Sequence, residues 1–137
     1  AAFAADIPLG IMVETPAAAL MVDKLAPHCS FLSLGTNDLS QYTMAADRSN
    51  PSVAGLLQPL PKPVSRLVKM ATDLAHKSGL RVSICGEIAA NPTLTEALLG
   101  LGVDEFSVEP DAIARIRQAI SQTSMEAAAT AARVASE

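Results

Sequence analysis

Four short apolar segments, separated by patterns typical of helices, constrain the fold of this chain more than any other feature. The segments predict strands over residues 7–14, 31–34, 81–85 and 105–108. The connections between successive units are short, which favours parallel strands joined by right-handed crossovers. The sequence therefore predicts an α/β fold with four β-α units. Four such units form either a small open sheet or half of a (β/α)8 barrel.

The helices between these strands are predicted from capping residues and apolar periodicity. Thr15 and Pro16 predict a helix start, with the helix running to about Leu25. Pro63 opens the strongest amphipathic pattern, which Gly79 ends. Further helices are predicted from Asn91-Pro92 through Leu99, from an Asp111 cap through Ile120, and over the Ala-rich segment from Met125 to Val134. Residues 35–61 are predicted as a long loop.

Composition narrows the class of protein. The chain has 137 residues, of which 50% are hydrophobic, and its net charge is −4. A chain of this length is at most one ordinary domain, and the absence of a basic run argues against a nucleic-acid partner. We expect no membrane insertion and no signal peptide, and we expect a cytoplasmic location with Cys29 and Cys85 reduced. The chain begins without Met directly ahead of a strand, which we interpret as a cut inside a longer polypeptide.

Polar groups follow three successive predicted strands. Glu14 ends the first strand, Asn37 and Asp38 follow the second, and Cys85 ends the third. The carboxyl ends of barrel strands are where active sites are built. Glu14 and Asp38 are hard oxygen ligands of the type that Mg²⁺ prefers. Cys85 is a candidate proton donor, because it precedes a glycine at a strand end.

Each of these residues also has an ordinary structural interpretation. Glu14 would be favoured beside the positive end of the helix that starts at Thr15. Asn37 and Asp38 are common loop and cap residues, and many cysteines are buried and inert. Arg48 either binds an anion or pairs with Asp47 at the surface, and the residues alone favour the surface pair.

Four ordered motifs carry a resemblance to a known family. They are Gly10–Ala18, Gly35–Arg48, Cys85-Gly86-Glu87 and Gly102–Ser107. Together they resemble the phosphoenolpyruvate-utilising enzymes over essentially the whole chain. Within this family, Gln41-Tyr42-Thr43 and Ala46-Asp47-Arg48 are more similar to enzyme I of the bacterial sugar phosphotransferase system. Pyruvate phosphate dikinase and phosphoenolpyruvate synthase are less similar in these segments, but they stay open as alternatives.

The resemblance implies a fold, a reaction and roles for five residues. It implies the second half of a (β/α)8 barrel, with the first half absent from residues 1–137. Glu14 and Asp38 would bind Mg²⁺, and Asn37, Arg48 and Asp38 would bind phosphoenolpyruvate. Cys85 would protonate the enolpyruvate as pyruvate forms.

The resemblance also implies partners, which bear on what this chain can do alone. The phosphoryl group would pass to a histidine on a domain absent here, and then to a phosphocarrier protein that serves sugar uptake. The family's barrel domain forms a homodimer. We expect the isolated half-barrel to be a poor catalyst, because its missing half carries further phosphate-binding arginines. A non-catalytic dimerisation module is the remaining alternative, and a general Mg²⁺ phosphatase is disfavoured because no nucleophile motif is present.

Overall fold

A computed structural model describes Ala4, residues 6–57 and residues 59–137 of the chain. Most of the Ala-rich start, where no signal peptide is predicted, lies outside these residues. The strands are β1 (Gly10–Val13), β2 (Phe31–Gly35), β3 (Arg81–Cys85) and β4 (Glu105–Phe106). The α-helices are α1 (Pro16–Leu20), α2 (Val22–Leu25), α3 (Thr36–Met44), α4 (Lys62–Lys77), α5 (Thr95–Gly100), α6 (Ile113–Gln122) and α7 (Met125–Ser136). Two 3-10 helices cover Ala26–His28 and Ala54–Leu57.

The four strands form one parallel sheet in the order β1-β2-β3-β4, as the sequence predicts. The register pairs Val13 with Leu34 and Leu34 with Ile84, and pairs Gly35 with Cys85. Because every pair is parallel, the carboxyl end of each strand lies at the same edge of the sheet.

The two faces of the sheet have different surroundings. One face carries Val13, Leu32, Leu34, Val82 and Ile84, which are fully buried. These side chains share one core with apolar residues of six helices, such as α3, α4 and α5. The opposite face carries small or partly exposed residues, because side chains alternate along each strand. They include Met12, which is 49% exposed, Phe31, which is 41% exposed, and the half-buried Ser33, Ser83 and Cys85.

Several helix boundaries follow from local chemistry that the sequence displays. The Thr15 hydroxyl accepts a hydrogen bond from the Ala18 N–H at 3.2 Å, which caps α1. After the C-terminal end of α4, Gly79 adopts a φ of +74°, a conformation that glycine tolerates well. The Ser124 hydroxyl accepts from the Ala127 N–H at 3.1 Å and caps α7. The predicted helices of residues 15–25, 63–79 and 125–134 are therefore confirmed, the first as two segments divided at Met21.

The prediction of a long loop over residues 35–61 is wrong. Its first part is the helix α3, which has Gly35 at its N-terminus and buries Thr36, Leu39 and Ser40. The segment is too polar to show a helical period in the sequence, and its helix is stabilised by packing on α4 and β2. The 3-10 helix Ala54–Leu57 is a second departure from the predicted loop.

Other boundaries also differ from the predictions. Asp111 does not cap α6, because that helix begins at Ile113 after Ala112 and receives no side-chain cap. The helix predicted from Asn91 begins at Thr95, since the Asn91 side chain forms a turn by accepting from the Thr93 N–H at 3.0 Å. Strands β1 and β4 are shorter than predicted, with β4 reduced to two residues.

No helix within the described part of the chain is long and apolar enough to cross a membrane.

Close packing of α5 against α7 depends on a small residue. A Cβ added at Gly100 would overlap the Ala128 carbonyl oxygen, and it would lie 2.8 Å from the Ala132 Cβ. Ala128 and Ala132 are buried, so neither can move away without disturbing the core. Gly100 therefore sets the distance between the two helices.

We expect Gly100→Ala to lower the free energy of unfolding by about 1–3 kcal/mol, the usual cost of overpacking. Gly55→Ala is the matched control, because nothing lies within 4 Å of a Cβ at that position. Urea denaturation of both variants tests this. Equal stability of the two variants would show that α7 moves freely to accommodate the added methyl group.

Asp104 ties α4, β3 and β4 together at the edge of the sheet where the strands begin. Its Oδ2 accepts from the Val82 N–H at 2.8 Å and lies 2.9 Å from His76 Nε2. Burial raises the pKa of the Asp104 carboxyl, but the hydrogen bonds from Val82 and His76, with the charges of His76 and Arg81, outweigh it. The pKa of Asp104 is therefore lower in the folded chain than its usual 3.8.

A lowered carboxyl pKa contributes stability that is present above pH 3.8 and is lost as the pH falls through the folded-state pKa. We expect Asp104→Asn to destabilise the protein by about 1.5–3 kcal/mol at pH 7, as for other hydrogen bonds to charged groups. The difference from the native protein should shrink below pH 4. Urea denaturation at several pH values measures it, with the exposed Asp111→Asn as the control. A difference that stays constant down to pH 3 would contradict this account.

Candidate functional site

Glu14, Gly35 and Cys85 form a row across the carboxyl edge of the sheet. Gly35 is the register partner of Cys85, and it lies directly beside Glu14. A Cβ added at Gly35 would lie 2.9 Å from Glu14 Cβ and 3.0 Å from Glu14 Oε2. The half-buried Glu14 carboxylate therefore occupies the space that a side chain at position 35 would fill.

The first turn of α3 places Asn37 and Asp38 next to this row. Asn37 Oδ1 accepts a hydrogen bond from the Glu87 N–H at 3.1 Å. This bond fixes the orientation of the amide, so that its Nδ2 group is left to donate elsewhere. The first N–H groups of a helix lack intrahelical acceptors and, with the helix dipole, favour an anion. The start of α3 is thus a set of hydrogen-bond donors beside the Glu14 carboxylate.

The turn after β3 is held tightly against α3. The Thr36 hydroxyl donates to the Cys85 carbonyl oxygen at 2.5 Å. Gly86 follows with a φ of +96°, and a Cβ there would lie 2.6 Å from Thr36 Oγ1 and 2.8 Å from Asn37 Oδ1. Glycine is therefore required at position 86 by both the backbone angle and the close approach of α3.

The Cys85 thiol lies at the uncovered face of the sheet. Its Sγ is 3.5 Å from the Leu34 carbonyl oxygen, to which the thiol donates, and 4.0 Å from Ser33 Oγ. Cys85 is half-buried, and it lines a cleft of about 430 Å³ together with Asn37, Glu87 and Ser107. This volume is in the range of small-molecule sites. Cys29 instead donates to the Leu25 carbonyl oxygen at 3.7 Å, within a helix-to-strand connection.

Arg48 approaches the same site from the segment after α3. Its Nη1 lies 3.5 Å from Glu87 Oε1, and both side chains are more than half exposed. The predicted surface pair with Asp47 is not the ion pair that forms. Asp47 instead accepts from the Ser49 N–H at 2.8 Å, and this hydrogen bond, with that from the Ser49 hydroxyl, lowers the pKa of Asp47. A pair as exposed as Arg48 and Glu87 is weak and readily exchanged.

A smaller cleft lies between α3 and the turn after β3. It is lined by residues that include Asn37, Ser40, Arg48 and Glu87. The Ser40 hydroxyl is buried and has no hydrogen-bond partner among the residues that the structure describes. A single water molecule of the kind that commonly satisfies such a group would fit this cleft.

The predicted metal ligands, Glu14 and Asp38, have the chemistry that Mg²⁺ requires. Ion pairs within the described residues involve neither of them. Asp38 Oδ1 accepts from Gln41 Nε2 at 3.1 Å, which leaves Oδ2 for another partner. No group of three or more acidic, histidine or cysteine side chains able to hold a metal lies in the described part of the chain. Two carboxylates with water and phosphate oxygens fit Mg²⁺, which usually keeps several non-protein ligands.

Three residues at the site carry no role in the sequence-based prediction. Gln41 contacts Asp38, Glu87 contacts Asn37 and Arg48, and Ser33 approaches Cys85. Gln41 and Glu87 lie inside the motifs that resemble the phosphoenolpyruvate-utilising enzymes. Their position in these motifs could have identified them as site residues. Ser33 carries no such signal, because its approach to Cys85 depends on the pairing of β2 with β3.

Comparison with known proteins identifies the family of this chain. Residues 1–125 match the family model described as "PEP-utilising enzyme, PEP-binding domain". A phosphoenolpyruvate-protein phosphotransferase from Listeria monocytogenes is 50% identical over 115 residues, which cover 84% of this chain and 20% of that protein. Proteins of the same name from Bacillus subtilis and Buchnera aphidicola are 46% and 43% identical, over 90% and 89% of this chain and 22% and 21% of their own lengths.

The chain spans about a fifth of the length of these relatives. Its matched region includes all four strands and every residue of the row at the carboxyl edge. On the strength of the family match and of these identities, the chain belongs to the phosphoenolpyruvate-utilising enzymes.

Proposed function

We propose that this chain supplies the metal-binding and proton-donating side of a phosphoenolpyruvate site in a phosphoenolpyruvate-protein phosphotransferase. The observation that carries the proposal is the row formed by Glu14, Gly35 and Cys85, with Asn37 at its side. Asn37 and Cys85, the proposed phosphate-binding and proton-donating residues, line one cleft, and Glu14 lies beside Gly35 in the same row. The names of the relatives support this enzyme over a pyruvate phosphate dikinase or a phosphoenolpyruvate synthase.

The sheet supports a further proposal, that these four strands are half of a (β/α)8 barrel. Helix residues cover one face, whereas Met12, Ser33, Ser83 and Cys85 on the other face lack such a cover. Strands β1 and β4 each pair on one side only among the described residues. In a complete barrel both edges would be paired, and the exposed face would become the packed interior. The homodimer and the phosphocarrier protein implied by the resemblance belong to the same proposal.

The phosphate of phosphoenolpyruvate would bind at the start of α3. The free N–H groups of its first turn and the oriented Asn37 Nδ2 would donate to phosphate oxygens. Arg48 would exchange its exposed contact with Glu87 for the phosphate, with which a bidentate pair is stronger. These contacts would position the phosphoryl group and stabilise its negative charge, which are the main contributions a protein makes to phosphoryl transfer.

Glu14 and Asp38 would hold Mg²⁺ beside this phosphate. When bound, the ion would neutralise charge that develops on the phosphate and enolate oxygens. Contacts within the chain position both carboxylates, because Glu14 lies against Gly35 and Asp38 is held by Gln41.

Cys85 would act after the phosphoryl group leaves. The P–O bond of the enol phosphate breaks as phosphorus bonds to a histidine nitrogen supplied by another domain, and the electron pair stays on the enolate oxygen. The enolate then takes the proton of the Cys85 thiol at its methylene carbon, which gives pyruvate and a thiolate. The thiolate regains a proton from water. The Ser33 hydroxyl lies 4.0 Å from Sγ and donates toward it.

Replacement of a metal ligand tests the metal side of the proposal. We expect Asp38→Ala in the full-length protein to reduce Mg²⁺-dependent pyruvate formation by about a hundredfold or more. Asp23→Ala is the control, because Asp23 pairs with Lys24 on α2, away from the carboxyl edge. A Mg²⁺ titration of initial rates measures the effect. A native half-saturating Mg²⁺ concentration in Asp38→Ala would remove Asp38 from the site.

Replacement of the thiol tests the proton donor. Cys85→Ala should bind phosphoenolpyruvate normally but form pyruvate about a hundredfold more slowly, as is typical when a general acid is lost. Cys29→Ala is the matched control and should retain the native rate. Equilibrium binding and single-turnover pyruvate formation separate the two steps. If Cys85→Ala forms pyruvate at the native rate, another group protonates the enolate.

A further inference from the structure

Gln41 joins two residues of the proposed site through both ends of its side-chain amide. Gln41 Nε2 donates to Asp38 Oδ1 at 3.1 Å, and Gln41 Oε1 accepts from the Arg48 N–H at 2.9 Å. The side chain is half-buried on α3. Rotating the amide by 180° would place its NH₂ group against an N–H and its oxygen against a carboxylate. The observed orientation is therefore the one that satisfies both partners.

The backbone after α3 is shaped to make this contact. Ala45 ends the helix in the left-handed region, with φ 49° and ψ 41°, and the Ala46 N–H donates to the Gln41 carbonyl at 3.1 Å. This turn reverses the chain and returns Arg48 to the side of α3. A left-handed alanine is uncommon and costs free energy, so it persists where surrounding contacts determine it. Both the side chain and the carbonyl of Gln41 contribute such contacts.

We propose that Gln41 is a positioning residue that links metal binding at Asp38 to phosphate binding at Arg48. The proposal rests on the proposed function of those two residues. Gln41 holds Oδ1 of Asp38, which leaves Oδ2 for the metal, and it holds the backbone from which the Arg48 side chain extends. Loss of the amide releases both Asp38 and the Arg48 backbone, so the binding of Mg²⁺ and the binding of phosphoenolpyruvate should weaken together.

Kinetics of the full-length protein test the link. Gln41→Ala should raise both the KM for phosphoenolpyruvate and the half-saturating MgCl₂ concentration by about tenfold, the effect expected from hydrogen bonds involving charged groups. The kcat should stay within about threefold, because Gln41 does not contact the reacting atoms. Gln118→Ala is the matched control, since Gln118 is exposed on α6, and it should change none of these values.

Limited trypsin digestion without ligand supplies a readout that does not depend on activity. Trypsin cleaves after arginine, and Arg48 lies in an exposed turn. Gln41→Ala should speed cleavage after Arg48 by about tenfold, because the hydrogen bond to the Arg48 N–H is lost. Gln41→Glu should be cleaved at nearly the native rate, since its carboxylate still accepts that bond. Its half-saturating MgCl₂ concentration should nevertheless rise, because it cannot donate to Asp38.

Asp38→Ala and Arg48→Ala, assayed in parallel, distinguish failure of the positioning role of Gln41 from failure of the proposed function of the site. If both are impaired while Gln41→Ala behaves like Gln118→Ala in kinetics and digestion, the positioning role is wrong and the proposed function stands. If both have native activity, the proposed site is wrong and the role of Gln41 falls with it. Impaired Asp38 and Arg48 variants together with the expected changes in Gln41→Ala support both.

Discussion

The parallel pairing of four strands in sequence order is the constraint on which the rest of this structure depends. Parallel pairing brings every strand's carboxyl end to one edge, so residues far apart in the chain become neighbours there. Gly35 lies opposite Cys85 and against Glu14, although 50 residues separate Gly35 from Cys85. The absence of a side chain at Gly35 makes room for the Glu14 carboxylate. The chemistry proposed at this edge follows from the register of the sheet and would be lost if one strand slipped by a residue.

The end of the sheet where the strands begin and the end where they finish differ in their polar contacts. Where the strands begin, Asp104 accepts from both Val82 and His76, and the buried Thr72 hydroxyl donates to the Leu101 carbonyl at 2.5 Å. These polar contacts are satisfied within the protein and fix the helices to the sheet. Where the strands end, Glu14 has no ion-pair partner among the described residues, and Arg48 has a weak one. Groups left without strong internal partners are those available to a ligand, in agreement with the general position of sites in parallel α/β folds.

The sequence was sufficient for the order of strands and helices, because apolar periodicity and caps such as Thr15 and Gly79 are local signals. It was insufficient for α3, whose polar residues show little helical period and whose helix is stabilised by packing against α4. The candidate residues at strand ends were identifiable from the chain, since each follows an apolar run. The residues that contact these candidates were not identifiable from the sequence. The contact of Gln41 with Arg48 requires the turn at Ala45, and the contact of Ser33 with Cys85 requires the β2-β3 register. No local sequence pattern predicts that turn or that register.

The central claim is that phosphoenolpyruvate and a divalent cation bind together at the carboxyl edge of this sheet. A crystal structure of the full-length protein with phosphoenolpyruvate and Mn²⁺, which replaces Mg²⁺ at oxygen-ligand sites, tests it most directly. We expect an anomalous-scattering peak coordinated by the carboxylates of Glu14 and Asp38. The substrate phosphate should lie on Asn37 and Arg48, with its methylene carbon facing Cys85. A peak or substrate density elsewhere on the protein, with this edge holding neither, would contradict the account.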